Sequence, residues 1–509
     1  MAFALAPEQQ QALDLFAAGE NIFLTGPGGS GKSVLIRRMV EHAKTHDKKV
    51  QVCALTGCAA LLLSCKAQTV HGWAGIGLAA GPIDLLVKNV VGNKYKREKW
   101  TQVDILIIDE VSMLSQKLFE LLDACGKATR KSAEPFGGLQ LVCAGDFYQL
   151  PPVGSKSNRP EELYDFAEDT QEVADTQEVT EKFEFVNVGA YTDLGAASAA
   201  EKAASLRDRQ TSAAFCFESS LWRPTFPHTI QLQKIFRQTD LLYQKILNEI
   251  RVGCIRRSSL NILEAKVGKQ QAQQAQQAQQ AQQAQQAQHS KTFKPTILLP
   301  RRRDVDAINA RELQNLPPGV TKVFVAERVD TPSSNPEKKM RFATQTADRE
   351  FQLLLAKLMC EQRLTLKVGA QVMCIVNLDL VSDLPIVNGS QGVVVGFDES
   401  RWPVVEFTNG LRKVVKPHLW QSDYMPSVGV KQLPLIHAWA ITIHKAQGAS
   451  LTCAEIDAGS NIFECGQTYV ALSRVQSLDG LYLAAFDPAR VTVNSKVQEF
   501  YAGLAEKRT

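Results

Sequence analysis

The chain has 509 residues, 57 basic against 53 acidic side chains, a formal charge of +4 and 45% hydrophobic content. This length fits about three domains of roughly 150 residues, and the near-balanced charge permits an anionic partner without establishing one, so nucleic acid has to be argued from local motifs. The 11 cysteines form no C-x-x-C pair, which argues against zinc and disulfide frameworks and for a reducing compartment, and no membrane-length apolar run or signal-peptide pattern occurs.

Near the N-terminus, residues 21–25 predict a short buried strand, followed by GPGGSGKS at 26–33 and then a helix. This is the phosphate loop G-x-x-x-x-G-K-S in its required context. Gly26, Gly28, Gly29 and Gly31, with Ser30 among them, let backbone amides wrap a β-phosphate at the positive end of the helix dipole. Lys32 neutralises the β- and γ-phosphates, and the Ser33 hydroxyl is a ligand for Mg²⁺, a hard cation that prefers oxygen. Alone, the loop establishes only nucleotide binding.

Residues 105–108 predict a second buried strand, which delivers Asp109 to Mg²⁺ through its water shell and Glu110 to the water that attacks the phosphate. Without a phosphate loop upstream, such paired acids would read equally well as a turn or a helix cap. A third apolar run, 139–143, ends in GDFYQLPPV at 145–153. Gln149 there carries both donor and acceptor atoms and is placed to sense the γ-phosphate, while Pro151 and Pro152 stiffen the loop.

Residues 155–214 are acidic and polar, with DTQEV repeated at 169–173 and 175–179, and read as an inserted low-complexity segment. Order resumes at 215–222 and 229–232, and KIFRQ at 234–238 sets Arg237 just before a helix predicted over 241–251. The glutamine-alanine tract at 270–288 repeats every three residues, matching neither helix nor strand period, and reads as a solvated spacer. Arg474 closes YVALSR at 469–474. A guanidinium stays charged and offers forked donors, so Arg237 and Arg474 fit a finger that reaches a phosphate from a second domain; taken singly, each would read as a surface ion pair.

Set in chain order, these segments resemble the PIF (petite integration frequency) family of DNA helicases, superfamily-one motors related to bacterial RecD. LAPEQ at 5–9, TGCAA at 56–60, TVHGWAGIG at 69–77 and FGGLQLV at 136–142 match that family's pattern, as do PRRRDVDAIN at 300–309, LKVGAQVM at 366–373 and VNGSQGVV at 387–394. LPLIHAWAITIHKAQGASL at 433–451 and GQTYVALSRV at 466–475 complete the series. The resemblance implies an α/β protein of two RecA-like P-loop domains, 1–154 and 215–365 with 432–509. It adds a wedge segment near 76–100 and a small β-barrel-like insert at 366–431.

It also implies that Gln9 reads adenine, that Lys32, Ser33, Asp109 and Glu110 run Mg²⁺-dependent ATP hydrolysis, and that Arg237 and Arg474 are fingers. Single-stranded DNA would cross both motor domains, touching Thr56, His71, Trp73, Thr442, His444 and Lys445, with Pro151 nearby. Trp73 offers either a stacking face for a base or a ring for the core, and the sequence leaves both readings open. The implied activity is 5′-to-3′ unwinding of tailed duplex DNA by a monomeric motor in genome maintenance, with an ATP-switched clamp as the alternative. No membrane partner is expected. The expected address is the nucleus, or the mitochondrion if an N-terminal extension is missing from this chain.

Overall fold

The structure, a computed structural model, describes residues 5–152, 213–268, 294–330, 344–378 and 386–506, apart from isolated positions within these ranges. The acidic segment at 155–214 falls almost wholly outside the described residues, and the glutamine-alanine tract at 270–288 wholly so.

Six parallel strands build the first lobe: β1 (Ile22–Thr25), β2 (Val50–Ala54), β3 (Gln68–Thr69), β4 (Ile105–Asp109), β5 (Gln140–Gly145) and β6 (His228–Gln231). They lie in the order β3-β2-β4-β5-β1-β6. β1 and β4 are buried at every position, as expected of parallel strands covered on both faces, and this is why they read as unbroken apolar runs. Alternate residues serve opposite faces: Ile22 and Leu24 meet Leu35, Ile36 and Met39 of the helix Lys32–Thr45, whereas Phe23 joins a cluster with Phe119, Phe147 and Trp222.

Two parts of that second cluster lie far along the chain. The segment after the acidic insertion, expected to open the second domain at 215, instead completes the first: Phe215, Trp222 and Phe226 are buried in its core, and β6 pairs in parallel with β1. The C-terminal helix Ser495–Glu506, expected to belong to 432–509 of the second domain, packs Val497 and Tyr501 into the same cluster. Large rings drive both corrections, since each aromatic buries about 150–250 Å² and needs a matching apolar face. Trp222 meets Phe23 at 5.2 Å and Phe119 at 5.4 Å between ring centroids.

The expected wedge region contains two helices, Ile83–Gly92 and Lys94–Thr101, with Leu85 and Tyr95 turned outward. Chain order then runs through β7 (Thr296–Leu299), among the described residues ten antiparallel strands β8–β17 between Thr321 and His437, and β18 (Ala440–Thr442), β19 (Ala454–Ala458) and β20 (Leu481–Phe486). The second motor sheet is parallel in the order β18-β7-β19-β20. The antiparallel strands form sheets of two, five and three strands and extend beyond the expected insert at 366–431, reaching back to Thr321 and forward to His437. No helix among the described residues is long and apolar enough to cross a membrane.

Candidate functional site

The loop at 26–33 leaves the carboxyl end of β1, where an α/β sheet places its ligands. Gly29 and Gly31 have φ of +82° and +86°, conformations that a side chain opposes. Crowding adds to this, most firmly at Gly29. One at Gly29 would lie 2.6 Å from the Arg237 Cβ, and one at Gly31 would lie 2.8 Å from the Gln9 Nε2. The helix Lys32–Thr45 starts with no side-chain cap, so its first amides face the loop. Lys32 Nζ donates to the carbonyls of Gly26 (2.7 Å) and Pro27 (3.1 Å), folding the ammonium back over its own loop. Burial pulls that ammonium below its ordinary pKa, while Asp146, Glu110 and Asp109 pull the other way.

Asp109 ends β4. Burial, reinforced by the neighbouring Glu110 and opposed by Lys32, raises its carboxyl to about 7. Glu110 adopts the left-handed conformation, φ +56°, and its N–H donates to Asp109 Oδ1 at 2.9 Å. That sharp turn aims the two acids differently. Glu110 Oε2 accepts from Gln447 Nε2 of the second lobe at 3.1 Å.

The opposite wall carries the arginines. Arg237 donates to the carbonyl of Ser473 at 3.1 Å, and the buried Arg474 donates to the Val470 carbonyl (2.9 Å) and the Ser473 hydroxyl (2.7 Å). Burial first, then the charge of Arg474, lowers Arg237 to about 9, while Tyr469 and Glu110 pull the other way.

A cavity of about 490 Å³ joins these groups: Lys32, Ser33, Asp109, Glu110, Gln149, Arg237 and Arg474 line it together with Gly28, Gly29, Ser30 and Gly31. Gly26 lies just behind, at the end of β1, and Gln9 is buried against the loop, its Nε2 reaching the Ser30 carbonyl at 3.4 Å and its Oε1 accepting from the Ala6 N–H at 3.0 Å. A polyphosphate with a divalent cation fits this lining. Four basic side chains, Lys32, Arg37, Arg237 and Arg474, face two carboxylates, and the Ser30 hydroxyl is buried with no hydrogen-bond partner. Ser33 and Asp109 are the oxygen donors that would hold Mg²⁺ there.

Arg37 on the cavity wall, Gln447 and Tyr469 escaped the sequence reading. Gln447 and Tyr469, whose hydroxyl accepts from the Gly28 N–H at 2.9 Å, both lie within quoted motifs, but nothing in their spacing says which atom across the cavity they reach.

The expected strand contacts are scattered in accessibility. Lys445 is exposed, and His71 and His444 are half-buried, with burial lowering the His444 pKa. The hydroxyls of Thr56 and Thr442 accept from the N–H of Ala59 and Lys445, both at 3.2 Å. Thr442 and Pro151 are themselves buried. Of the two readings left open for Trp73, its burial favours the core: it is only 2% exposed and packs on Trp100 at 4.5 Å.

Two parallel-stranded lobes sharing one phosphate-loop cavity, with acids on one side and arginines on the other, define a RecA-like P-loop nucleotide-binding protein. Comparison with known proteins narrows this. The family model described as PIF1-like helicase matches residues 4–172, and that of the DNA helicase Pif1 2B domain matches residues 352–397. The Pif1 helicase of Candida albicans is 30% identical in its crystal structure, with a TM-score of 0.67 over 99% of this chain and 100% of that one. This chain belongs to the PIF1-like helicase family.

The ATP-dependent DNA helicase PIF1 of Xenopus laevis is 32% identical over 99% of this chain. This chain spans 65% of the length of that relative. A Bacteroides Pif1 crystallised with single-stranded DNA is 25% identical, with a TM-score of 0.58 over 99% of this chain and 98% of that one.

Proposed function

We propose that the chain is an ATP-driven DNA helicase that moves 5′ to 3′ along single-stranded DNA and opens tailed duplexes. One observation carries this reading: the phosphate loop of the first lobe and Arg474 of the second line the same cavity. A nucleotide held there would draw the lobes together, and loss of its terminal phosphate would release them. Lys32 and the loop amides bind the phosphates, Glu110 orients the attacking water and takes its proton, and Gln149 reports the γ-phosphate. Arg237 and Arg474 stabilise the charge that spreads over the transferred group. Ser33 and Asp109 would hold Mg²⁺, which would supply charge neutralisation to the phosphates when bound. Gln9 packs under the loop where an adenine reader belongs.

The names of the relatives support DNA as the track, and a single motor chain acting in genome maintenance (replication, repair, recombination or telomere upkeep) in the nucleus completes the proposal. A mitochondrial address is the alternative. The test is unwinding of duplexes that carry either a 5′ or a 3′ single-stranded tail, with ATP and Mg²⁺, beside Lys32→Ala. Strand separation from the 5′ tail alone, abolished in the variant, is the expected result. DNA-stimulated ATP hydrolysis without separation from either tail would instead make this an ATP-switched clamp, and indifference to DNA would sink the nucleic-acid assignment.

A further inference from the structure

The stacking face expected of Trp73 is absent from the surface, yet another ring stands beside the expected strand contacts. Phe463 lies in the loop between β19 and the helix Gln467–Leu472, at the carboxyl end of the second motor sheet. It is 51% exposed, while Ile462 before it and Cys465 after it are 2% and 7% exposed. The loop is held on several sides. Asp457 Oδ1 accepts from the Gly459 N–H at 3.0 Å, and the Phe463 N–H donates to Gln467 Oε1 at 3.1 Å. The outward ring is therefore part of an anchored loop and costs little further entropy to present.

Its neighbours point to what it meets. The ring lies near-parallel to that of His444, at 20° and 6.4 Å between centroids, one residue from the exposed Lys445. Three residues on, Gly466 touches the first lobe: a Cβ there would fall 2.5 Å from the Tyr148 carbonyl and 2.7 Å from that of Gln149, next to Pro151. One short loop thus packs against the His444 ring on one side and the Tyr148–Gln149 backbone of the first lobe on the other, and turns a large apolar ring to solvent. A lone exposed ring is ordinary on a protein surface; one anchored on both sides, and packed on a histidine whose chain neighbour is the exposed Lys445, is suited to a nucleobase, whose π-face stacks whatever its identity.

We propose that Phe463 is a stacking contact for a base of single-stranded DNA, an inference that rests on the helicase reading above. The test is fluorescence anisotropy with a labelled oligothymidylate, comparing the wild-type chain with Phe463→Ala, Phe463→Leu and Phe463→Trp. Loss of one stacked base weakens binding about 5- to 150-fold in the alanine variant. The leucine variant should lose nearly as much, and the tryptophan variant should retain wild-type affinity. The slope of affinity against salt should stay unchanged in all three, since no phosphate contact is removed. Wild-type affinity in Phe463→Ala or in Phe463→Leu overturns the proposal alone. Failure of the wild-type chain to bind the oligonucleotide overturns the helicase reading and this inference with it.

Discussion

Asp109 is a carboxyl whose ionisation the fold opposes through burial. Its carboxyl titrates at about 7 in the folded protein against 3.8 for a free group, so the folded chain holds that proton more tightly than the unfolded chain does. The resulting stability is fully present below the unfolded value and is lost as pH rises through the folded one. Asp109→Asn has no such proton. With metal chelated, melting curves should show the wild type losing stability relative to this variant between about pH 4 and 7, with the gap constant above that; a gap independent of pH throughout would contradict it. The placement of Asp109 and Glu110 at a strand end beside the phosphate loop was legible in the sequence, because a phosphate loop and a strand-end acid pair fix their own backbone geometry. The reach of Gln447 to Glu110, and the burial of Trp73 against Trp100, were not, since each depends on which surfaces the finished fold brings together.

Among the elements, the join between the end of β5, the helix Leu241–Val252 and the C-terminal helix is the most heavily committed. Arg251 grips Asp146 with two hydrogen bonds of 2.8 Å, its guanidinium lying over the rings of Tyr148 (4.5 Å) and Tyr501 (5.6 Å). The Tyr501 hydroxyl meets Thr25 Oγ1 at 2.6 Å, immediately before the phosphate loop, and accepts from the Phe147 N–H at 3.2 Å. Asp146→Ala would strand a buried guanidinium, and urea denaturation should register a loss of about 3–5 kcal/mol. A loss below about 1 kcal/mol would mean that water reaches Arg251 and screens it. Strands β1, β4 and β5 of the first lobe, and the loops that follow them, could be read from apolar runs and turn residues. The ownership of β6 and of the last helix could not, because position along the chain suggested the second lobe while the aromatic faces that receive them belong to the first.

At the scale of the whole molecule, the two guanidiniums facing the phosphate loop make the empty cavity electrostatically unfavourable and the filled one favourable. A non-hydrolysable ATP analogue with Mg²⁺ should therefore raise the melting temperature of the wild type. Arg474→Gln should forfeit part of that gain, about 1.4 kcal/mol for each tenfold loss of affinity at saturating ligand. Equal gains in both proteins would remove Arg474 from nucleotide contact.

The late arrival of β6 and of the C-terminal helix also governs how the protein is made. Synthesis proceeds from the N-terminus, so when β5 leaves the ribosome the first lobe still lacks an edge strand that comes only at His228–Gln231 and a covering helix that comes only at Ser495–Glu506. Until then Phe23 and Phe147 have no Phe500 or Tyr501 to meet. The lobe that binds the phosphates is thus opened at β1 and closed only once Ser495–Glu506 has been added, and over that whole interval its aromatic face is uncovered and open to misassociation.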